Sequence, residues 1–183
     1  MGKRTRMEPV EVIQKINIVR NILSDDGQFP NNALLPLLIY QKAVNLPAQD
    51  RARTIMEFLE TNAWVDAWEN GVYDYHHFHS TAHEVLVIIK GSARIQFGGS
   101  GGVAFLVEES DAIIIPAGVA HKAIDLYDDF TCVGAYPTGQ KYDIRTGEPE
   151  EKEEVIRNIK SVPLPTADPI YGTDGPLLNN WKI

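Results

Sequence analysis

Short apolar runs separated by polar turn residues dominate the middle of the chain, from about residue 64 to residue 137. The runs read VYDYHHFH, EVLVIIK, ARIQF, VAFLVE, AIIIP, KAIDLY and FTCVGAY, with Gly, Asp, Ser and Pro between them. Closely spaced strands of this kind are typical of antiparallel sandwiches and barrels. No helix-length pattern interrupts them, which disfavours a parallel α/β sheet. We therefore predict an all-β fold.

The flanking segments predict smaller elements. In residues 8–23 the apolar spacing fits a helix while INIV fits a strand, so periodicity leaves both open. LPLLIY predicts a buried strand, and RARTIMEFLETN predicts a helix that begins after an N-cap at Asp50. EEKEEVIRNIK predicts a second helix after Pro149. Four prolines beyond Val162 exclude a helix or a central strand there, while its apolar residues favour an extended, docked tail.

One domain is the expected organisation for this chain. Its 183 residues, 44% of them hydrophobic and 23% charged, are enough for one well-buried core. We predict an N-terminal extension over residues 1–63 that packs on the core, a core over residues 64–137, and a helix with a docked tail over residues 138–183.

Charge and composition exclude several classes of function. The net charge of −8 provides no basic surface for nucleic acid and no attraction to an anionic membrane. The N-terminal segment lacks the apolar stretch of a signal peptide, and no apolar run reaches the length of a membrane span. The single cysteine, Cys132, cannot form an internal disulfide, which suits a reducing compartment. We expect a cytoplasmic protein.

The run EVLVIIK is apolar at both alternating sets of positions, so both faces of its strand need cover. The cover is either a helix of the same chain or another subunit, and exposed sheet edges also need protection. We expect a homodimer.

Four of the five histidines lie in the stretch HHFHSTAHE, residues 76–84. Because alternate residues of a strand share a face, His77 and His79 would point to the same side. Glu84 could add an oxygen from the next strand, and His121 a third nitrogen from a later one. Such a set leaves one or two open positions on an octahedral ion, as a catalytic metal requires. The alternative is that these histidines are surface or core residues satisfied by hydrogen bonds.

The spacing of these residues resembles that of the cupin superfamily. The first cupin motif is G-x5-H-x-H-x(3,4)-E-x6-G, and the stretch from Gly71 to Gly91 matches it at every fixed position. The match covers both histidines and the glutamate singled out above.

The second cupin motif, G-x5-P-x-G-x2-H-x3-N, is matched in part. Pro116, Gly118 and His121 stand at their expected positions. Ser110 replaces the leading glycine and Asp125 the asparagine, which leaves the metal ligands intact but puts the local turn and a supporting polar contact in doubt.

The resemblance implies a double-stranded β-helix, or jelly-roll barrel, with a few peripheral helices. It implies one divalent transition metal (Fe, Mn, Ni or Zn) held by His77, His79, Glu84 and His121. The implied function is a metal-dependent enzyme acting on a small organic molecule inside the barrel. The resemblance does not distinguish a dioxygenase-like oxidoreductase from a decarboxylase or an isomerase. The alternative is a non-catalytic module that binds or senses a small ligand.

Two positions near the proposed ligands, His83 and Tyr75, have alternative interpretations. His83 could replace Glu84 as ligand, because the motif tolerates either turn length. The spacing to Gly91 favours Glu84, and strand alternation would then turn His83 away from the metal. Tyr75 shares the face of the paired histidines, where it is either a core aromatic residue or a pocket residue that hydrogen-bonds a ligand.

Overall fold

The computed structural model describes residues 9–182; the first eight residues of the predicted N-terminal extension and the last residue of the tail lie outside the described residues. The strands are β1 (Glu11–Val12), β2 (Asn17–Leu23), β3 (Asn32–Gln41), β4 (Val44–Asn45), β5 (Trp64–Asn70), β6 (Glu84–Phe97), β7 (Val103–Glu108), β8 (Ala112–Ile115) and β9 (His121–Pro137). The helices are α1 (Arg51–Thr61), α2 (Lys152–Ser161) and α3 (Pro176–Asn180), and a 3-10 turn at Pro149–Glu151 precedes α2.

Seven strands form one antiparallel sheet in the order β2-β3-β8-β6-β9-β5, with β7 paired to β6. The central strand β6 pairs with β8 through Glu84–Val87 and with β7 through Ser92–Phe97, while β9 follows it along its other edge. The sheet curls, so that Leu23 at the end of β2 lies against Gly98, just past β6. The predicted antiparallel, jelly-roll type of all-β fold with a few peripheral helices is confirmed.

Successive residues of β6 face two different hydrophobic clusters. Leu86 and Ile88 belong to the pocket-side cluster, which the curled sheet surrounds. Val85 and Val87 belong to the outer cluster on the other face. The outer cluster is completed by α1 and the tail through Ile55, Leu59, Ile170, Leu177 and Trp181. Helix and tail of the same chain therefore cover the face that motivated the expected homodimer, and the homodimer stays a prediction.

The segment that was open between helix and strand is extended. Residues 11–12 form β1 and residues 17–23 form β2. β3 contains the predicted buried strand LPLLIY and pairs with β8, so β2 and β3 belong to the main sheet although they lie within residues 1–63. The helix α1 follows as predicted, but Asp50 caps it differently. Its backbone is left-handed, its side chain makes no capping hydrogen bond, and its carbonyl accepts the Thr54 N–H at 2.9 Å.

Two further predictions are corrected. The run VYDYHHFH is not a regular strand, because its pairing is limited to single bridges from His77 to His121 and from Phe78 to Arg145. The tail does contain a helix, α3, despite its prolines. Pro176 occupies the first turn, where a helix needs no backbone N–H donor, so the prolines do not exclude this helix. No helix within residues 9–182 combines the length and the apolar character needed to cross a membrane.

Candidate metal centre

Three histidines meet at the base of a cavity on the pocket side of the sheet. His77 and His79 precede β6, and His121 is the first residue of β9. The backbones of His77 and His121 pair directly, because each N–H donates to the other residue's carbonyl, at 3.2 and 2.9 Å. All three side chains are buried, and one ring nitrogen of each lies within 4.8 Å of the other two.

Glu84 lies beside two members of this group. It is the first residue of β6 and is 2% exposed. Its Oε2 lies 3.2 Å from Nε2 of His79 and 3.3 Å from Nε2 of His121. The structure therefore brings together the four side chains that the sequence pattern selected as metal ligands.

His83, the alternative to Glu84, faces away from this group. Its Nδ1 accepts the backbone N–H of Ala117 at 2.9 Å, and its ring packs 4.6 Å from the ring of Trp181. Burial lowers the pKa of His83 to about 3, so the side chain is neutral at physiological pH. His83 thus joins the Pro116–Ala120 turn to the tail.

The second ring nitrogen of each clustered histidine faces a backbone carbonyl. The Nδ1 partners are the carbonyls of Tyr75 for His77 (3.2 Å), Asp143 for His79 (2.5 Å) and Val119 for His121 (3.0 Å). Because a carbonyl can only accept, these contacts assign a proton to each Nδ1. In the neutral tautomer each Nε2 then carries a lone pair, which is the form that binds metals.

The hydrogen bonds of Glu84 test whether a cation fits this cluster. Its Oε2 is buried and has no hydrogen-bond partner, yet it faces two imidazole nitrogens. A carboxylate oxygen opposite lone pairs is unfavourable unless a cation lies between them. Three imidazole nitrogens and one carboxylate oxygen are the ligand types that divalent transition metals prefer. The residues therefore fit such an ion.

Electrostatics within the cluster agree with a site that attracts positive charge. Burial alone would lower the pKa of His79, but the charge of Glu84 outweighs it and raises this pKa. Burial likewise opposes the ionised form of Glu84, but His79 and His121 hold its pKa well below the usual range. Burial and the adjacent His121 lower the pKa of His77 to about 3. Glu84 is thus ionised, and its negative charge favours a positive charge between it and the imidazole nitrogens that it faces.

One departure from the second motif, Ser110, has a visible structural consequence. Ser110, which stands in place of the expected glycine, has a φ of 78°, so the left-handed turn is kept without glycine. Gly118 has a φ of 93°, and a Cβ there would lie 2.5 Å from the Asn31 carbonyl oxygen. Its N–H donates to the His79 carbonyl at 2.8 Å. The turn before His121 therefore requires glycine and is attached directly to a ligand residue.

The cluster opens into a cavity of about 340 Å³. Half of its lining residues are aromatic or aliphatic: Trp68, Val72, Tyr73, Leu86, Tyr136, Tyr142 and Ile144. Tyr75 lies just outside this lining, with its ring stacked 5.0 Å from Tyr73 and 5.7 Å from the ring of His77. Its predicted contact with a ligand stays a prediction.

Sequence reasoning missed Tyr136, near the end of β9, and Tyr142 and Asp143, in the segment that follows β9. Tyr136 and Tyr142 lie 5.7 and 5.3 Å from the ring of His79, and Asp143 supplies the carbonyl for its Nδ1. The sequence signal was slight. AYPTGQKY holds two tyrosines, but it lies more than fifty residues from the histidine-rich stretch and has no periodicity.

The loop that carries Asp143 is fixed by ionic hydrogen bonds. The Asp143 carboxylate accepts the Ser80 N–H at 2.6 Å, the Ser80 hydroxyl at 2.5 Å and Nε of Arg145 at 2.7 Å. Arg145 also donates to Glu151 at 2.6 Å and to Glu154 at 2.9 Å. The loop is thereby held on one side to the segment after His79 and on the other to α2.

We expect Asp143→Ala to weaken metal binding about tenfold, which is the lower end of the usual effect of losing a group that orients a metal-bound histidine. Without its carboxylate the loop loses its bonds to Ser80 and Arg145, and its carbonyl no longer holds His79 in one orientation. A competition titration of Zn²⁺ against a chromophoric chelator measures the affinity. Asp74→Ala, which removes an exposed acid from the segment before the histidines, is the control. Equal affinities of the two variants would contradict the expectation.

The chain is similar to one curated protein of comparable length. It is 44% identical over 158 residues to the uncharacterized protein YjlB of Bacillus subtilis (strain 168), over 86% of this chain and 92% of that protein. No protein-family model matches the chain.

Solved structures show only a distant likeness. Procruciferin, an 11S globulin from Brassica napus, aligns at 15% identity and a TM-score of 0.38, over 78% of this chain and 39% of its own. The epimerase RmlC of Legionella pneumophila aligns at 15% identity and a TM-score of 0.36, over 69% of this chain and 74% of its own. A Bacillus subtilis oxalate decarboxylase variant aligns at 15% identity and a TM-score of 0.37, over 73% of this chain and 34% of its own. This chain thus spans about a third of the globulin and decarboxylase chains, and scores this low support no functional argument.

Proposed function

We propose that this chain, which belongs to the family of Bacillus subtilis YjlB, is a metal-dependent enzyme that acts on a small organic molecule. A divalent ion would be held by His77, His79, Glu84 and His121, and the substrate would occupy the adjoining cavity. Such an ion supplies Lewis-acid character and positions a bound ligand.

The observation that carries the proposal is the buried, unpartnered Oε2 of Glu84 facing imidazole nitrogens. An oxygen that only accepts and nitrogens whose protons point outward would repel one another in a purely structural core. The three backbone carbonyls at Nδ1 hold the rings so that their lone pairs converge. The arrangement is therefore preorganised for a cation.

Tyr136 is the best-placed proton donor beside the ligands. Its hydroxyl accepts the Trp68 indole N–H at 2.8 Å and forms a hydrogen bond with the Glu84 carboxylate, to which its proton is donated. Burial and then the charge of Glu84 raise its pKa well above the usual range, which keeps it protonated at neutral pH. Tyr136 thus supports the proposed ligand Glu84 by a hydrogen bond and cannot act as a general base.

A non-catalytic ligand-binding module is the second candidate, because the cavity offers few groups that could act as a general base. Among the described lining residues other than the four proposed ligands, Glu69 is the single carboxylate. The three remaining ionisable side chains are tyrosines. Turnover or its absence separates the two candidates, whereas metal binding is common to both. Oxygen uptake and product analysis with a panel of small acids and diols measure turnover.

The proposal predicts about one divalent transition metal ion per chain in protein purified without chelators. Elemental analysis of the purified protein measures this content, before and after dialysis against a chelator. The depleted protein should regain one equivalent from Fe²⁺, Mn²⁺, Ni²⁺ or Zn²⁺, since the site is preformed. Protein that contains no metal and takes up none of these four ions would refute the proposal.

A further inference from the structure

We propose that the cavity takes a flat organic monoanion that chelates the metal ion through two oxygen atoms and packs its ring on tyrosine side chains. This inference rests on the metal centre proposed above and adds the chemical class of its ligand. Three features of the cavity support it: its aromatic wall, the charge of its lining, and its volume.

One part of the aromatic wall stands beside His79. The rings of Tyr136 and Tyr142 are stacked, with centroids 4.5 Å apart and planes 16° from parallel, and both meet the His79 ring edge-on. Tyr136 is buried, whereas Tyr142 is 48% exposed and lines the cavity. Because its partner already fixes its orientation, the uncovered part of Tyr142 offers a rigid surface on which a flat ring can stack.

A second stacked pair stands beside His77. The rings of Tyr73 and Tyr75 lie 5.0 Å apart with planes 20° from parallel, and Tyr73 meets the His77 ring edge-on at 4.9 Å. Tyr73 is 48% exposed and also lines the cavity. Each of the two tyrosine pairs therefore supports one proposed ligand residue and presents one half-exposed ring to the cavity.

The charge of the lining limits the charge of the ligand. None of the described residues that line the cavity is Lys or Arg, and the carboxylates among them are Glu69 and Glu84. A phosphate group or a second carboxylate would therefore find no cationic partner other than the metal ion. A divalent ion with three neutral imidazoles and Glu84 carries a single net positive charge, and Glu69 adds no cation to the lining, so the ligand carries at most one negative charge. An octahedral ion with these four ligands also leaves two positions for two oxygen atoms.

The size and character of the cavity agree with a single ring. Its volume of about 340 Å³ lies near the lower end of the roughly 300–1,000 Å³ typical of small-molecule sites. Val72, Leu86 and Ile144 add aliphatic surface to the aromatic wall. A chain-like, highly hydroxylated molecule would leave many of its polar groups without partners on this surface.

The test compares two chelators by calorimetric titration into the nickel-loaded protein. Tropolone is a flat, ring-shaped monoanion that binds metals through two oxygens, and oxalate is a dianion with two oxygens and no ring. We expect Tyr142→Ala to weaken tropolone binding about 2- to 10-fold, the usual effect of one aromatic contact, and to leave oxalate binding unchanged. Tyr127→Ala, which removes a tyrosine of matching exposure (47% against 48%) outside the cavity lining, should change neither.

Unchanged tropolone binding in Tyr142→Ala, or an equal loss for tropolone and oxalate, would overturn the inference. Nickel content measured beforehand separates this failure from that of the metal centre. A wild-type protein that takes up no nickel refutes both proposals. A wild-type protein that holds one equivalent without the selective effect of Tyr142→Ala refutes the ligand class alone.

Discussion

We expect His121→Ala to lower the affinity for a divalent metal by more than the roughly 10- to 100-fold that loss of an orienting partner costs. His121 contributes one of the three clustered nitrogens and stands 3.3 Å from Glu84. His77, His79 and Glu84 would remain in place, because the backbone pairing of residue 121 with His77 does not involve the side chain. Metal content after dialysis and the circular dichroism spectrum, measured side by side, check the result.

His76→Ala is the matched control for this experiment. His76 precedes a proposed ligand, but its ring packs 5.3 Å from the ring of Phe29 and is not part of the cluster. The metal content of His76→Ala should therefore stay close to that of the wild type, and both variants should retain the wild-type β-sheet signal. Equal metal loss in the two variants, or none in His121→Ala, would show that the site has been assigned to the wrong histidines.

The candidate ligands could be found from sequence because the requirement for them is largely local. His77, His79 and Glu84 lie within eight residues, and the start of β6 at Glu84 fixes which face its side chain takes. The turn before His121 carries its own signal, since Gly118 adopts a backbone conformation that other residues rarely take. Short-range chemistry of this kind is visible in a single sequence.

The rest of the site depends on contacts between distant residues. The carbonyl of Asp143 reaches His79 across sixty-four residues, and Tyr142 reaches the same ring from an irregular loop. Hydrophobic periodicity predicts regular strands and helices, so it gives no information about such a loop. A backbone carbonyl is moreover present at every residue, so its role as a partner leaves no mark in the sequence.

The sequence also suggested too many strands. Gly91 and Ser92 separate EVLVIIK from ARIQF, and Asp128 and Asp129 separate KAIDLY from FTCVGAY, which predicted a turn at each place. The structure instead continues each pair as one strand, β6 and β9. Gly91 has a φ of 67° and both aspartates have a φ near 55°, so these residues form irregularities within paired strands. Turn-forming residues and bulge-forming residues are chemically the same, and long-range pairing decides between the two outcomes.

The tail depends on one buried carboxylate, and we expect Asp168→Asn to destabilise the protein by about 3 kcal/mol or more. Asp168 is 0% exposed. One of its oxygens accepts the Tyr40 hydroxyl at 2.7 Å and the Leu177 N–H at 2.9 Å, and the other accepts the N–H groups of Ile170 and Tyr171 at 2.8 and 3.0 Å. An asparagine has one acceptor oxygen, so its NH₂ group would face two donors and leave them unsatisfied in the core.

Thermal unfolding measures this loss as a midpoint about 6–12 °C lower, given the usual 2–4 °C per kcal/mol for a chain of this size. Asp174→Asn makes the same chemical change at an exposed position of the same tail and should leave the midpoint within about 2 °C, because surface substitutions rarely exceed about 0.5 kcal/mol. The tail covers the outer cluster, which includes Val85 and Val87. Val85 directly follows Glu84 in β6. A midpoint for Asp168→Asn that matches the Asp174→Asn control would mean that the tail stabilises the sheet through its apolar contacts alone.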